Sequence, residues 1–355
     1  MAFMAGLMVL DAPASALNNA GADAGARTDN TIAVKKIRTP QGAFPYVSAQ
    51  AFRYWLRTGL ETTGGEWVAA PVFREGKIAY TDADPVKNWD DDLFGYMRAP
   101  SKRADAAKAA EATPLEKDRE ITRVSPFRVG TFVAIAPSPI VSDFGTMTRQ
   151  DGDPVPYEHE FYRAHLRGLF SLDLTCAGTF FDSERVGYKN LDVHRREKAK
   201  DEGCAQVTVR KQKALRLPIE KRCRRVSTLV GALAELNGGA KQALHYTDLV
   251  PAVVFLAVVK NGNNPFYRVL RASKTHQTEF DREAFAEILR VYKDDFLSDI
   301  HVGWAKGFLD EERQALQEAI FAHSTGLAIH LQHPREAIQA VAGRLADSSN
   351  EAWYT

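Results

Sequence analysis

Residues 31–60 read T-I-A-V-K-K-I-R-T-P-Q-G-A-F-P-Y-V-S-A-Q-A-F-R-Y-W-L-R-T-G-L. Ile32, Val34 and Ile37 alternate with polar neighbours, the period of a half-exposed strand. T-P-Q-G and F-P-Y then turn the chain, and Ser48 stands where a helix N-cap is expected. At about 100° per residue, Phe52, Leu56 and Leu60 fall on one side of the helix that follows, residues 49–60, and Gln50, Arg53 and Arg57 on the other. One face is core; the other presents a glutamine and two arginines. The stretch holds five basic residues, Lys35, Lys36, Arg38, Arg53 and Arg57, and no acid.

Upstream, residues 2–10 are an apolar run of strand length, ended by Asp11 and Pro13 and lacking the basic start of a signal peptide. No stretch approaches the roughly 18 apolar residues of a membrane span. Downstream, residues 66–125 read as an insertion of aromatic islands (Trp67, Phe73, Tyr80, Trp89, Phe94, Tyr96) followed by a polar, alanine-rich loop over 101–117. Residues 127–136 and 166–180 read as strands, the second with Phe170, Leu172, Leu174 and Cys176 at period two. An apolar helix over 226–236, a glycine turn at Gly238 and Gly239, and an apolar strand over 250–260 come next. Three helices close the chain: 281–297, 310–321 and one begun by Pro334. Strand, helix, paired strands with long excursions, helix, strand is an α+β order that disfavours a doubly wound parallel sheet. It predicts a split βαβ sheet of the ferredoxin or RNA-recognition type (RRM-like) carrying large insertions.

The 355 residues carry a formal charge of +1, which taken whole argues against a nucleic-acid partner. The charge is not evenly spread. Residues 31–60 hold +5; residues 185–225, with fourteen Lys and Arg against five acids, hold +9; the remainder holds −13. Two concentrated basic segments on an acidic body are what a polyanion-binding surface requires. In the second segment the dense part is Arg210, Lys211 and Lys213, then Arg222, Arg224 and Arg225, and a hairpin over 206–217 is expected to project from the body as an arm. Gly238, Gly239 and Lys241 form a third candidate, since a glycine pair admits a phosphate close to backbone, although it also ends a helix.

Catalytic signals are poor: the chain has no P-loop, G-x-G-x-x-G, H-E-x-x-H or G-x-S-x-G. His330 and His333 lack a third ligand at metal spacing and read as surface residues. Cys176, Cys204 and Cys223 lie far apart, predicting reduced thiols in a cytoplasmic protein. Asp11, Asp23 and Asp29 border the first basic segment and offer carboxylates to position a water, but loop aspartates usually cap or turn.

The stretch N-N-A-G-A-D-A-G-A-R-T-D-N-T-I-A-V-K-K-I-R-T-P-Q-G-A-F-P-Y-V-S-A-Q-A-F-R-Y-W-L-R, residues 18–57, resembles the signature of the Cas-seven backbone subunit of CRISPR Cascade, in its type I-B branch of the RAMP superfamily. D-D-L-F-G-Y-M at 91–97, S-P-F-R-V-G at 125–130, D-F-G-T-M-T-R at 143–149 and E-H-E-F-Y at 158–162 continue the resemblance in order along the chain. It implies an RRM-like palm (1–65, 126–180 and 226–355), inserted fingers (66–125) and a protruding thumb (181–225). It further implies a non-catalytic protein without cofactor or metal. Its copies would stack into a filament along the spacer of a CRISPR RNA, with a large subunit and RNA end-capping subunits, and display the RNA for pairing with target DNA, in antiviral defence or in guiding a transposon. Lys35, Lys36, Arg38, Ser48, Gln50 and Arg53 match the family's RNA-backbone segment; Arg57 joins them from the helix face. Residues 143–157, expected as a loop, are the candidate for meeting target DNA. Type III relatives cleave RNA with a loop aspartate, which leaves a metal-dependent ribonuclease using Asp11 or Asp23 as the alternative.

Overall fold

The computed structural model describes residues 1–22, 30–62, 65–98, 121–183, 185, 187–323 and 326–355. The expected loop over 101–117, and Asp23 and Asp29, lie outside them. The apolar run at the start is strand β1 (Ala2–Ser15). Its successors that position the site are β2 (Thr31–Val34), β3 (Lys36–Thr39), β4 (Gly42–Val47), α1 (Ala49–Thr62), α2 (Trp89–Phe94), β5 (Phe127–Val129), β6 (Phe132–Ala134), β7 (Ile140–Met147), β8 (Val155–Asp173), β9 (Thr179–Phe181) and α3 (Val193–Asp201). After them come β10 (Ala205–Val209), β11 (Gln212–Arg216), α4 (Ile219–Gly231), β12 (Val253–Lys260), α5 (Arg282–Val291), β13 (Ile300–Trp304), α6 (Asp310–Phe321), β14 (Ile329–Gln332) and α7 (Pro334–Ala346).

One mixed sheet runs in the order β14-β13-β12-β1-β8-β6-β4-β3, with β1 antiparallel to both neighbours. Because side chains alternate across a strand, β1 supplies both faces. Met4, Met8 and Leu10 join α1, α4 and α7 in one core; Phe3, Ala5, Leu7 and Val9 join α5 and α6 in the other. Gly6 is bare because the Phe170 ring lies over it; a Cβ there would meet a ring carbon at 2.2 Å. With helices on both faces, the sheet itself is accessible only at its ends and edges.

Three expectations change. Residues 143–157 are not one loop: β7 and the first half of β8 form a ribbon joined by a turn over 148–154, and D-F-G-T-M and E-H-E-F-Y face each other across it, pairing Asp143 with His159 and Gly145 with Tyr157. The helix expected over 226–236 begins at Ile219, which places Lys221, Arg222, Arg224 and Arg225 in its first two turns. The hairpin of β10 and β11 forms around Arg210 and Lys211, both left-handed (φ 51° and 63°), but does not project as an arm: β11 pairs with β9, and Arg210 binds the buried carboxylate of Asp173 at 2.6 Å.

The basic segment folds down because acids distant in sequence meet it. Asp92 accepts from Arg123 at 2.5 Å, from Arg225 at 2.8 Å and from the N–H of Gly178 at 3.0 Å, and all three side chains are buried. Arg123 also donates to the carbonyls of Cys176 and Thr179 at 2.8 Å, and Arg225 to those of Pro85 and Val86 at 2.8 and 2.5 Å. The insertion, the β8–β9 turn and α4 are thereby joined at one carboxylate. Asp90 and Asp91 serve the same insertion, accepting from the N–H of Ala70 at 2.7 Å and from Thr81 Oγ1 at 2.7 Å. Burial pushes the Asp91 carboxyl up to about 7, with Asp90 and Asp82 adding to it.

Asp92→Ala strands two buried guanidiniums and should cost about 3–5 kcal/mol, against less than about 1 kcal/mol for Glu66→Ala at the exposed Arg224 pair, both read by denaturant unfolding. Because the folded value of Asp91 is raised, its contribution is complete below about pH 4 and fades as pH rises through about 7. Stability measured from about pH 5 to about pH 8 should therefore fall less steeply in Asp91→Asn than in the unaltered protein.

Candidate nucleic-acid interface

Asn18 is where the first basic segment is assembled. Its carbonyl accepts the N–H of Lys35 at 2.9 Å and its Oδ1 the N–H of Ser48 at 3.0 Å, so one residue holds both the β2–β3 junction and the start of α1. Ser48 Oγ in turn accepts the N–H of Ala51 at 3.3 Å, the expected N-cap. The helix has no acid in its first turn, leaving the N–H groups of Ala49 and Gln50 and the positive end of its dipole to an outside anion. Gln50 is exposed beside them.

The glycine loop docks on the same strand end. The N–H of Ala240 binds the carbonyl of Leu17 at 3.0 Å. Gly238, at φ 144°, leaves space for Trp55, whose indole a Cβ would approach to 2.6 Å; Gly239, at φ 96°, leaves it for Gln242 and Leu17. Both glycines are thus needed for packing, and the consequence for binding is where they set Lys241. Lys35 and Lys241, both half-buried, form no ion pair with another described residue, and partial burial lowers the Lys241 ammonium. The structure therefore brings together Lys35, Ser48, Gln50, Gly238, Gly239 and Lys241.

Several residues expected there are spoken for. Lys36 is neutralised by Glu160, which also accepts the N–H of Val34 at 2.9 Å. Arg53 faces the insertion instead of an open groove, donating to Ser125 Oγ at 3.1 Å and to the carbonyls of Phe127 and Phe94 at 2.8 and 2.6 Å. Arg53 and Arg57 lie over the Phe94 ring at 5.0 and 4.5 Å, and burial lowers both, Arg53 to about 10 with help from Arg57. Arg38 is exposed, in a cleft with Gln41, Pro137 and His276.

The second segment sits elsewhere. Arg210 Nε reaches Met1 Sδ at 2.9 Å, at the opposite end of β1, a strand that at roughly 3.3 Å per residue is about 45 Å long. Arg222 spends its donors on the carbonyls of Ala177, Leu174, Thr175 and Tyr354, and burial brings it down to about 10. Arg225 is held by Asp92, and Arg224 by Glu66. Arg222 and Arg225, expected as surface contacts, are internal ties; Lys211 and Lys213 stay exposed at the hairpin.

Among the described residues no group of three or more His, Cys, Asp or Glu could hold a metal ion, and no helix is long and apolar enough to cross a membrane. Asp11 lies on β1, 3.8 Å from His165. His330 contacts Asp299 at 3.2 Å, and His333 caps α7. Cys176, Cys204 and Cys223 are free thiols, the first two pushed up by burial to about 12 and about 11.

The fold has solved counterparts. A chain from a structure titled "CRISPR RNA-guided surveillance complex" aligns over 96% of this chain and 99% of its own, at 13% identity and a TM-score of 0.50. A chain from "CRISPR RNA-guided surveillance complex, pre-nicking" aligns over 97% and 100%, at 11% identity and a TM-score of 0.53. No family model and no curated protein matches. The likeness is one of fold, and it extends from end to end.

The joining role of Asn18 and the pairing of Lys36 with Glu160 were missed from sequence. The N-N pair reads as a turn breaker, and nothing local links Glu160 to Lys36, 124 residues away. Asn18→Ala should lose about 1–3 kcal/mol in urea unfolding by orphaning the N–H of Ser48. Asn18→Asp keeps that acceptor and should keep stability, while its negative charge weakens polyanion binding.

Proposed function

We propose that this chain is a CRISPR RNA-binding backbone subunit of a type I-B Cascade surveillance complex, and that it holds the RNA backbone at the Asn18 surface. The observation that carries the reading is the convergence there of Lys35, the capped N-terminus of α1 and, from a distant part of the chain, the loop of Gly238, Gly239 and Lys241. Ammonium groups and free backbone N–H groups neutralise and cradle phosphates without reading bases. Binding of this kind is independent of sequence and weakens steeply with salt. In such a system specificity belongs to base pairing with target DNA.

The fold supports the reading. The strand order β12-β1-β8-β6, with α1 between β1 and β6 and α4 between β8 and β12, supports reading the sheet as an RRM-like palm. Helices α5 and α6 cover the sheet face on which RNA-recognition modules stack bases, which moves RNA contact to the end of β1. The two groups of basic residues, at opposite ends of β1, suit copies arranged head to tail in a filament, Arg38 and the Lys211–Lys213 hairpin adding contacts to the RNA or to a neighbour. The chain acts without catalysis of its own in this proposal, and the large and end-capping subunits complete the particle.

The test is coexpression with a CRISPR array and the partner subunits. Lys35→Glu with Lys241→Glu should leave the circular dichroism of the isolated chain unchanged and abolish the large, RNA-containing particle in gel filtration. An unaltered ratio of absorbance at 260 and 280 nm in that particle contradicts the assignment. Regularly spaced cuts in complementary RNA with magnesium, lost in Asp23→Ala, would instead establish the ribonuclease.

A further inference from the structure

Beyond Lys241 the loop continues Leu244-His245-Tyr246, and these three side chains divide. His245 turns inward: its ring stacks on Phe161 with centroids 5.0 Å apart and meets His159 edge-on at 4.8 Å. Leu244 and Tyr246 turn outward and are 65% and 79% exposed. Their backbone is nevertheless pinned. Gln242 donates to the carbonyl of Gly238 and accepts the N–H of Thr247 at 2.9 Å, and Thr247 Oγ1 shares a 2.6 Å hydrogen bond with Ser15 Oγ. The N–H groups of Leu244 and His245 both bind the carbonyl of Lys241, at 3.0 and 2.9 Å. An exposed aromatic side chain on a fixed backbone, next to the cation of a candidate phosphate site, is a presented surface.

Resting on the reading of the Asn18 surface as an RNA-backbone site, the geometry assigns Tyr246, with Leu244 beside it, to stacking an unpaired nucleobase, and makes His245 the positioning residue that fixes the loop. Once phosphates are held at Lys35 and Lys241, the attached bases lie within reach of the neighbouring apolar groups. Every base offers a π face, so stacking keeps binding independent of sequence while adding a contribution that salt does not screen. Tyr has only two side-chain torsions to fix, which makes it an economical platform. A protein partner is the poorer fit, because one Leu and one Tyr flanked by Lys241 fall short of the apolar centre that a stable protein interface presents. The inward ring of His245 needs only its shape to hold the loop, since its stack is on the face of Phe161.

The experiment titrates the full chain with a labelled single-stranded RNA and with a sugar-phosphate oligomer of equal length lacking bases, at several salt concentrations. Tyr246→Ala should weaken binding of the RNA by about 5- to 150-fold, corresponding to about 1–3 kcal/mol for one stacked base, leave the slope of log affinity against log salt unchanged, and leave binding of the base-free oligomer unchanged. Tyr246→Trp should restore affinity, and His245→Phe should retain it where His245→Ala does not. Lys241→Ala should instead lower the salt slope and weaken both ligands alike. If the unaltered protein binds RNA and Tyr246→Ala binds it equally well, or weakens both ligands equally, the stacking role is overturned alone. If the unaltered protein binds neither ligand, the backbone-site reading falls and the stacking role with it.

Discussion

The buried carboxylate of Asp92 is the constraint on which the arrangement rests. Two guanidiniums removed from water, Arg123 and Arg225, converge on it, and their other donors are taken up by backbone carbonyls and by Asn190. Each ion would be costly to bury alone; together with those carbonyls they make a satisfied network. Because Asp92 comes from α2, Arg123 from the end of the insertion and Arg225 from α4, the network fixes the insertion against the sheet. Arg53 adds to it from α1 by binding the carbonyls of Phe94 and Phe127, so the helix face that reads as a groove is a joint.

This changes what the charge distribution means. The basic residues of the second segment meet acids of the insertion and of the sheet: Asp84, Asp92 and Glu66 of the insertion take Lys198, Arg225 and Arg224, and Asp173 at the end of β8 takes Arg210. A count along the chain cannot see partners more than a hundred residues away. What remains for a polyanion is a smaller set, and the cations with no described ion pair at the end of β1, Lys35 and Lys241, belong to it. The near-neutral total conceals an ionic joint as much as a candidate binding surface.

The elements themselves were legible where a single periodicity decides them. The burial of β1, the N-cap at Ser48, α6 and the Pro334 start of α7 follow directly from residue order. Boundaries failed where tertiary contacts override local pattern: α4 begins seven residues before its apolar run, because Arg222 and Arg225 are buried by distant acceptors. The ribbon of β7 and β8 escaped because its apolar residues alternate with acids and glycine, and Gly145 makes sense only beneath the ring of Tyr157. Of the site, the cations, Ser48 and the glycine pair were visible. Asn18, which joins them, was not, since its part is played through one backbone carbonyl and one amide oxygen.

The proposed function requires the Asn18 surface to be the one that meets RNA. Photocrosslinking of the assembled particle carrying 4-thiouridine in its RNA, with mapping by mass spectrometry, addresses that directly. Crosslinks should concentrate at residues 18, 35, 48–50 and 238–246. Crosslinks confined to residues 195–225, with none around Asn18, would contradict it.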